Sequence, residues 1–280
     1  MKKYLVALRI PGWAPFITTF LFGVMDSSIF IFDKTLIALL SICMLVGAAY
    51  YLNFISDREI DRINPRKKDL KMNKQPFASS EISVKFGYLI SLILIIFSLI
   101  LGYFVSNNFL ILLLISIPFA IFYSLLVRFK ELPPFDIIIN AFFAGSLAYI
   151  FGLLANNEKI YVLNSFFFFF NIVPLYNKTL IKDAKYDKRI GVKTSAVRFG
   201  IKKLLKISFL FRLLSFVFLI LILYFNGFLW YLPFFLLLVS LYHDYKLTIG
   251  KKVKMSEERT YLKGILILIT SIIIRVMISV

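Results

Sequence analysis

Residues 35–61 read TLIALLSICMLVGAAYYLNFISDREID. The first 22 residues of this stretch carry no charged side chain, and an uncharged apolar run of about 18 or more residues predicts a membrane-spanning helix. The stretch ends in Asn53, Asp57 and Asp61, which are four residues apart. Steps of four residues drift by only about 40° around a helix, so the three side chains lie along one face, roughly 6 Å apart.

The rest of the chain repeats this apolar pattern. Of its 280 residues, 60% are hydrophobic, against roughly 45–50% in average globular proteins, which excludes both a soluble globular domain and a disordered chain. At about 20 residues per span, the composition allows eight or nine membrane helices. We therefore predict a single all-α integral membrane domain over residues 1–280, a bundle of nine transmembrane helices. The predicted spans are 11–25, 35–56, 82–105, 108–127, 135–155, 160–181, 204–225, 228–246 and 260–280.

The net charge of +18 is distributed very unevenly between the two sides of these spans. Of the 33 Lys and Arg residues, 29 fall in the N-terminus and in the loops after the even-numbered spans, and three fall on the other side. This asymmetry predicts a cytoplasmic N-terminus and, with nine spans, a C-terminus outside. The charge also favours anionic membrane lipids as partners, and not nucleic acid, because the basic residues lie in short loops beside the bilayer. Arg212, inside the seventh span, is expected to be buried against a carboxylate or carbonyl group.

Two residue types are too rare to support common kinds of site. Cys43 is the only cysteine, which excludes an internal disulfide framework and a CxxC metal site. His243 is the only histidine, which argues against a histidine-based zinc site.

A second acidic motif ends the sixth predicted span, on the same predicted side as the first. Residues 183–194 read DAKYDKRIGVKT, and Asp183 and Asp187 share a helix face by the same spacing. Each motif alone could be a solvated helix end beside a basic loop. Carboxylates at membrane depth, however, are costly and usually functional, and paired ones need a cation. Hard oxygen ligands suit Mg²⁺ with phosphate as a further ligand, so the two faces together predict a metal-assisted diphosphate site.

With these motifs the chain resembles the UbiA superfamily of intramembrane prenyltransferases. That family has nine helices and two aspartate-rich motifs, which end its second and sixth helices. Residues 74–83 resemble a family stretch before the third helix, although Gln75 and Ser80 replace its usual Arg and Gly. Residues 123–128 resemble the family's end of the fourth helix, and Arg189, Gly191 and Thr194 are similar to the tail after the second motif. The run NPRKKD at 64–69 is similar to the lycopene elongase branch, and the archaeal ether-lipid branch is the other candidate.

The resemblance implies Mg²⁺-dependent transfer of a prenyl group from a polyprenyl diphosphate to a lipophilic acceptor, at the cytoplasmic face of the cell membrane. Loops 57–81 and 183–203 would form the active site. Catalytic and metal-binding roles are implied for Asn53, Asp57, Asp61, Asp183 and Asp187. Diphosphate binding is implied for Arg66, Lys67, Arg128 and Lys182. Acceptor or secondary contacts are expected from Tyr123, Asp136, Asn140 and Asn177.

Several alternatives stay open at this stage. The acceptor could be a carotenoid, an ether lipid or an aromatic ring. An intramembrane terpene cyclase would use the same ionisation step without a separate acceptor. A lipid or cation transporter would use the acids as an ion path, although transporters bind their substrates near the bilayer midplane and these acids cluster at one face.

Overall fold

The computed structural model describes residues 2–63, 75–226, 241–242 and 244–250, and this part of the chain is helical with no β-strand. Two short π-helical segments, Phe122–Leu126 and Phe142–Leu147, interrupt the longer helices, and the turns Ile10–Trp13 and Phe129–Glu131 are 3-10 helices. The α-helices are α1 Lys2–Leu8, α2 Ala14–Asp26, α3 Phe32–Ile63, α4 Val84–Val105, α5 Asn107–Ile121, α6 Phe135–Ala141, α7 Ala148–Leu154, α8 Val162–Arg189, α9 Ser195–Phe199 and α10 Ile201–Asn226.

Six helical stretches of the described residues are long and apolar enough to cross a membrane. They are Lys3–Asp26, Phe32–Ile63, Val84–Val105, Asn107–Leu126, Phe135–Leu154 and Ile201–Tyr224. The sixth predicted span, 160–181, forms the long helix α8, but its many polar side chains keep it out of this set. Most of the predicted span 228–246 and all of 260–280 lie outside the described residues. The all-helical membrane class is confirmed, whereas the count of nine spans and the orientation of the termini stay predictions.

The central helix α3 packs along α4 and positions the acidic motif. In the middle of this contact the Ser41 hydroxyl donates to the Ser98 carbonyl oxygen at 2.8 Å. The cost of burying a polar group in the apolar interior is offset because the hydroxyl is hydrogen-bonded. Large apolar side chains of α4 and α5, such as Phe97 and Leu114, remain more than half exposed, as expected for a lipid-facing surface.

Helices α2 and α7 cross at a contact that only glycine allows. A Cβ atom on Gly23 would lie 2.0 Å from the Tyr149 carbonyl oxygen, and one on Gly152 would lie 2.0 Å from the Phe20 carbonyl oxygen. Small residues at such crossings let two backbones approach closely, which is how membrane helices gain packing energy without a hydrophobic driving force.

Polar side chains join the loops at the end of the bundle where α3 begins. Asp26 accepts hydrogen bonds from the Tyr149 hydroxyl and the Asn164 amide. The Ser28 backbone N–H donates to Glu158 Oε2 at 2.6 Å, and that of Ile31 donates to Asn156 Oδ1 at 2.8 Å. The 32-residue helix α3 is roughly 48 Å long, so this polar end is far from Asp57 and Asp61.

The short helix α1 crosses the other end of α3. The Tyr51 hydroxyl donates to the Tyr4 carbonyl at 3.0 Å, and the Lys3 ammonium donates to the Glu81 carbonyl at 2.8 Å. Between these contacts, buried Gln75 accepts from the backbone N–H groups of Phe77 and Ala78 at 2.8 and 3.1 Å and closes the turn before α4. Ser80 adopts a φ of 58°, a left-handed conformation that favours glycine, and this explains the glycine expected there by resemblance.

Candidate active site

The first acidic motif occupies the last three turns of α3. The helix continues through Asn53, Asp57 and Asp61, so the three side chains share one face, as the spacing predicts. Asp61 is buried, and the side chain of Asp57 is 20% exposed. The Asn53 side chain makes no hydrogen bond with another described residue, so its amide oxygen is available to a ligand.

Two cationic side chains from the segment after α5 meet Asp57. The Lys130 ammonium lies 2.6 Å from Asp57 Oδ1, and an Arg128 Nη2 atom lies 3.6 Å from the same oxygen. Both also hold Ser56: Lys130 donates to its hydroxyl, and Arg128 Nη1 donates to its carbonyl at 3.1 Å. The end of α3 is therefore held against residues 128–130 by charge-assisted hydrogen bonds, which are stronger than hydrogen bonds between neutral groups.

Local backbone geometry explains how both cations reach one carboxylate. The π-helical segment Phe122–Leu126 ends the helix, Arg128 turns the chain in a left-handed conformation with φ 55°, and a 3-10 turn then presents Lys130. Burial lowers the pKa of the Lys130 ammonium, and the charge of Asp57 opposes that shift. A hydrogen bond to Glu131 raises the pKa of Arg128.

A tyrosine pair connects this region with α8. The hydroxyls of Tyr123 and Tyr176 are 2.8 Å apart, and the Asn140 amide lies 3.5 Å from the Tyr123 hydroxyl. Asp57 and Asp136 both lie close enough to the pair to act on it electrostatically. Tyr123 and Asn140, two predicted secondary residues, are thus brought together beside the first motif.

The position of Tyr176 also shows which way the second acidic motif faces. Seven residues turn a helix by about 700°, so Asp183 lies within about 20° of Tyr176 on α8, two turns further along. Asp187 follows on the same face after one more turn. The face of α8 that bears the second motif is therefore the face directed toward Tyr123 and the end of α3.

Hydrogen bonds to two carboxylates, Asp187 and Asp136, hold the loop after α8. Gly191, with φ 76°, reverses the chain, and the Thr194 hydroxyl then donates to Asp187 Oδ2 at 3.3 Å. The next residue, Ser195, donates its backbone N–H to Asp136 Oδ2 at 2.7 Å and its hydroxyl to the other oxygen. Asp136 is fully buried and holds this loop through Ser195, and the acceptor or secondary contact expected of it stays a prediction.

Other predicted residues lie elsewhere. Asn177 is fully buried and donates to the Ser208 hydroxyl on α10 at 2.9 Å, about 120° around α8 from Asp183, so the structure does not bring it to the motif face. Lys182, on α8 next to Asp183, is partly exposed. Arg66 and Lys67 lie outside the described residues.

Arg212 belongs to a buried ionic network on the α10 side of α8. Arg212 Nε lies 3.0 Å from Asp244 Oδ2, and the Lys178 ammonium lies 2.6 Å from Asp244 Oδ1. Arg212 also bonds to the Asn171 side chain. The expected carboxylate partner of Arg212 is therefore Asp244.

Sequence reasoning missed Lys130, Ser56, Tyr176 and Ser195. For Tyr176 a signal exists, because its spacing of seven from Asp183 puts both on one face. Lys130 was counted only as a charge on the cytoplasmic side, and no periodicity reveals that a short turn carries it to Asp57.

The donor set fits Mg²⁺ bound together with a phosphate ligand. In the part of the chain that the structure describes, no three Asp, Glu, His or Cys side chains converge on one metal position. Magnesium commonly uses only one or two carboxylates and completes its octahedron with water and substrate phosphate. The carboxylates and the Asn53 amide of the two motifs are oxygen donors of the kind that it prefers.

Two proteins of known name are similar to this chain in sequence. The chain is 28% identical to a digeranylgeranylglyceryl phosphate synthase of Sulfurisphaera tokodaii over 61% of its length. The chain therefore spans little more than half of that relative, 59% of its length. A synthase of the same name from Methanocaldococcus jannaschii is 25% identical over 75% of this chain and 72% of its own.

Solved structures show the same fold. A UbiA homolog from Archaeoglobus fulgidus bound to DMAPP and Mg²⁺ superposes with a TM-score of 0.83 at 24% identity, over 96% of both chains. An apo UbiA homolog from Aeropyrum pernix K1 gives 0.77 at 18% identity, over 94% of this chain and 98% of that one. The model of the UbiA prenyltransferase family matches residues 14–266. The chain therefore belongs to the UbiA prenyltransferase family, a family of transferases.

Proposed function

We propose that this protein transfers a prenyl group from a polyprenyl diphosphate to the free hydroxyl of a prenylglyceryl phosphate, forming an ether lipid within the membrane. Family membership supports the transfer, and the two similar synthases, which are named for a glyceryl phosphate product, support the acceptor. The observation that carries the proposal is the pairing of Lys130 and Arg128 with Asp57, opposite the motif face of α8.

Mg²⁺ is the proposed cofactor. Asn53, Asp57, Asp61, Asp183 and Asp187 would hold it, and the Archaeoglobus fulgidus homologs bound to GPP or DMAPP together with Mg²⁺ support this choice. When bound, the metal acts as a Lewis acid that stabilises the charge of a departing diphosphate.

The chain's own cations take the remaining negative charge of the donor. Lys130 and Arg128 contact the carboxylate that would bind the metal, so both could donate to a diphosphate held there. Charge-assisted hydrogen bonds from ammonium and guanidinium groups to phosphate are short and strong. These two side chains thus bind and orient the leaving group.

The reaction then breaks the bond between C1 of the donor and the diphosphate oxygen, and the diphosphate leaves with the electron pair. The acceptor hydroxyl oxygen attacks the allylic cation at C1, and its proton passes to an oxygen of the released diphosphate. The rings of Tyr123 and Tyr176, beside Asp57, can stabilise the positive charge through their π faces. The surrounding apolar helices exclude the water that would capture the cation.

We also propose that the site opens to the cytoplasm and that the domain extends over residues 1–280 with nine spans. The acidic motifs end helices on the side that carries 29 of the 33 basic residues. A water-soluble diphosphate headgroup and Mg²⁺ reach such a site from the cytoplasm, while both prenyl tails stay in the bilayer.

The test is turnover by purified protein with radiolabelled geranylgeranyl diphosphate, in Mg²⁺ or EDTA. Three acceptors are offered: geranylgeranylglyceryl phosphate, a C40 carotene and 4-hydroxybenzoate. We expect Mg²⁺-dependent labelling of the glyceryl phosphate. Labelling of another acceptor would overturn the ether-lipid assignment, release of diphosphate without a labelled acceptor would favour a cyclase, and no release would favour a transporter.

A variant at Asp57 tests the site itself. Asp57→Asn should lower kcat/KM on the order of 100-fold or more, because it removes a charged ligand that stabilises the leaving group. The matched control is Asp33→Asn, an exposed aspartate at the opposite end of α3, which should leave turnover unchanged. Full activity of Asp57→Asn in folded protein would contradict the site.

A further inference from the structure

A cavity beside the second acidic motif belongs to none of the roles assigned above. It has a volume of about 380 Å³, is open on one side, and is lined by Lys193, Val197 and Arg198. Known small-molecule sites begin at about 300 Å³, so the cavity can hold a small headgroup. The exposed wall is mainly apolar, and two of the three side chains that form it are cationic, a combination that suits an anion attached to an aliphatic group.

Neither cation of this cavity is neutralised by its neighbours. Among the described residues no carboxylate forms an ion pair with Lys193 or Arg198. The buried cations Lys130, Lys178 and Arg212, by contrast, are paired with Asp57 or Asp244. Lys193 and Arg198 thus keep their charge for a ligand from outside the protein.

The wall of the cavity is fixed relative to the catalytic carboxylates. Thr194 follows Lys193 directly and bonds to Asp187, and the next residue, Ser195, bonds to buried Asp136. Val197 and Arg198 donate their backbone N–H groups to the Thr194 carbonyl at 3.0 and 2.9 Å, which carries this anchoring to Arg198. The wall of the cavity is therefore tied to Asp187, one of the carboxylates proposed to bind the metal.

We propose that this cavity binds the phosphate of the acceptor lipid. The inference rests on the proposed function and adds a recognition site for the acceptor headgroup, apart from the cations that hold the donor diphosphate. Arg198 offers a fork of donors to phosphate oxygens, and Lys193 adds a point charge. Val197 would contact the glycerol backbone. A phosphate-free acceptor, such as a carotene, would gain nothing from these charges.

The experiment compares acceptors with and without the phosphate. The double variant Lys193→Gln/Arg198→Gln changes two exposed side chains and should fold normally. We expect its kcat/KM ratio for geranylgeranylglyceryl phosphate over geranylgeranylglycerol to fall about tenfold or more, with an unchanged KM for geranylgeranyl diphosphate. The control Lys85→Gln/Lys206→Gln, two exposed lysines outside the cavity and the active-site loops, removes the same charge and should keep the ratio.

Binding measured without turnover separates this inference from the proposed function. In EDTA, radiolabelled geranylgeranylglyceryl phosphate should bind the wild type, and binding should weaken about tenfold in the double variant only. Weakened binding in a protein that transfers nothing to this lipid would uphold the subsite and overturn the proposed function. Transfer with an unchanged ratio and unchanged binding in the double variant would overturn the subsite alone.

An anionic membrane lipid offers the same headgroup chemistry as the acceptor, so the assay is run in neutral detergent and in mixed micelles with an anionic phospholipid. An acceptor subsite predicts the altered ratio under both conditions. A difference between double variant and wild type that arises only with the anionic lipid, with no change in acceptor preference, would assign the cavity to a membrane lipid and overturn the proposal.

Discussion

The buried ammonium of Lys130 could pair with either of two anions, the Asp57 carboxylate or the phosphate of a bound donor. Lys130 is 8% exposed, and burial lowers the pKa of its ammonium, but its contact with Asp57 keeps the positive charge favourable inside the protein. If a metal takes over Asp57, the ammonium loses this partner where a diphosphate would supply new negative charge. We therefore expect Lys130 to exchange a carboxylate for a phosphate when the donor binds.

The variant Lys130→Gln tests this exchange. Loss of one charge-assisted hydrogen bond should raise the donor KM about tenfold, with a smaller change in kcat. Steady-state kinetics with varied geranylgeranyl diphosphate at saturating acceptor measure both values. Lys85→Gln, at an exposed lysine of α4, serves as the control, and a donor KM that is equal in the two variants would show that Lys130 has only a structural role.

Single residues differ in how well the sequence predicts them. The four-residue spacing alone puts Asn53, Asp57 and Asp61 on one helix face, because that face follows from helix geometry. The contact of Lys130 with Asp57 joins residues 73 positions apart through a π-helical segment and a left-handed Arg128, and no local pattern encodes it. The contact of Asp136 with Ser195 could not be predicted for the same reason, since the two residues are 59 positions apart.

At the scale of the helix, α8 carries the second acidic motif on one face and its contacts with α10 on another. Tyr176, Asp183 and Asp187 follow one face, while Asn177 and Lys178 face α10 and residue 244. The polar side chains on both faces explain why α8 is less apolar than the other long helices. The sequence predicted its existence but not this division, because the partners Ser208 and Asp244 belong to distant helices.

The loops at the start of α3 depend on a charged hydrogen-bond acceptor. Hydrogen bonds from the Ser28 hydroxyl and backbone N–H lower the pKa of Glu158 below its usual 4.5. A depressed carboxyl pKa adds stability above the unfolded value, and this stability is lost as the pH falls through the folded value.

The variant Glu158→Gln should therefore lower Tm by about 2 °C at pH 7, since the glutamate is partly exposed and its bonds are screened. The difference from wild type should shrink as the pH falls below 4.5 and vanish once the carboxyl is protonated in the folded protein. Thermal unfolding in detergent across this pH range measures it. Asp33→Asn, an exposed neighbour on α3, should show no such pH dependence, and a constant Glu158→Gln deficit at all pH values would exclude the charge as its cause.

For the whole molecule, the length of α3 explains how one site handles both polar and apolar substrates. At roughly 48 Å it exceeds the approximately 30 Å hydrocarbon core, so an end that carries Asp57 and Asp61 reaches the headgroup region. In the proposed reaction the diphosphate, the metal and the acceptor phosphate would meet at this interface, and apolar helices would surround the prenyl chains. Hydropathy predicts this separation of polar helix ends from apolar helix bodies, because the separation depends only on the composition along each helix.

The sidedness of the molecule gives the last prediction. The charge asymmetry predicts that the start of α4 faces the cytoplasm and that the loop before α8 faces outside. In a Cys43→Ser background, Lys159→Cys should react with a membrane-impermeant maleimide in intact cells. Lys85→Cys should react only after the membrane is opened, although both positions are exposed. The reverse labelling pattern would place the acidic motifs and both phosphate-binding regions outside, away from cytoplasmic prenyl diphosphates.

An epitope tag at the C-terminus that antibodies reach in intact cells would add support for an odd number of spans, and a tag reached only after permeabilisation would contradict nine.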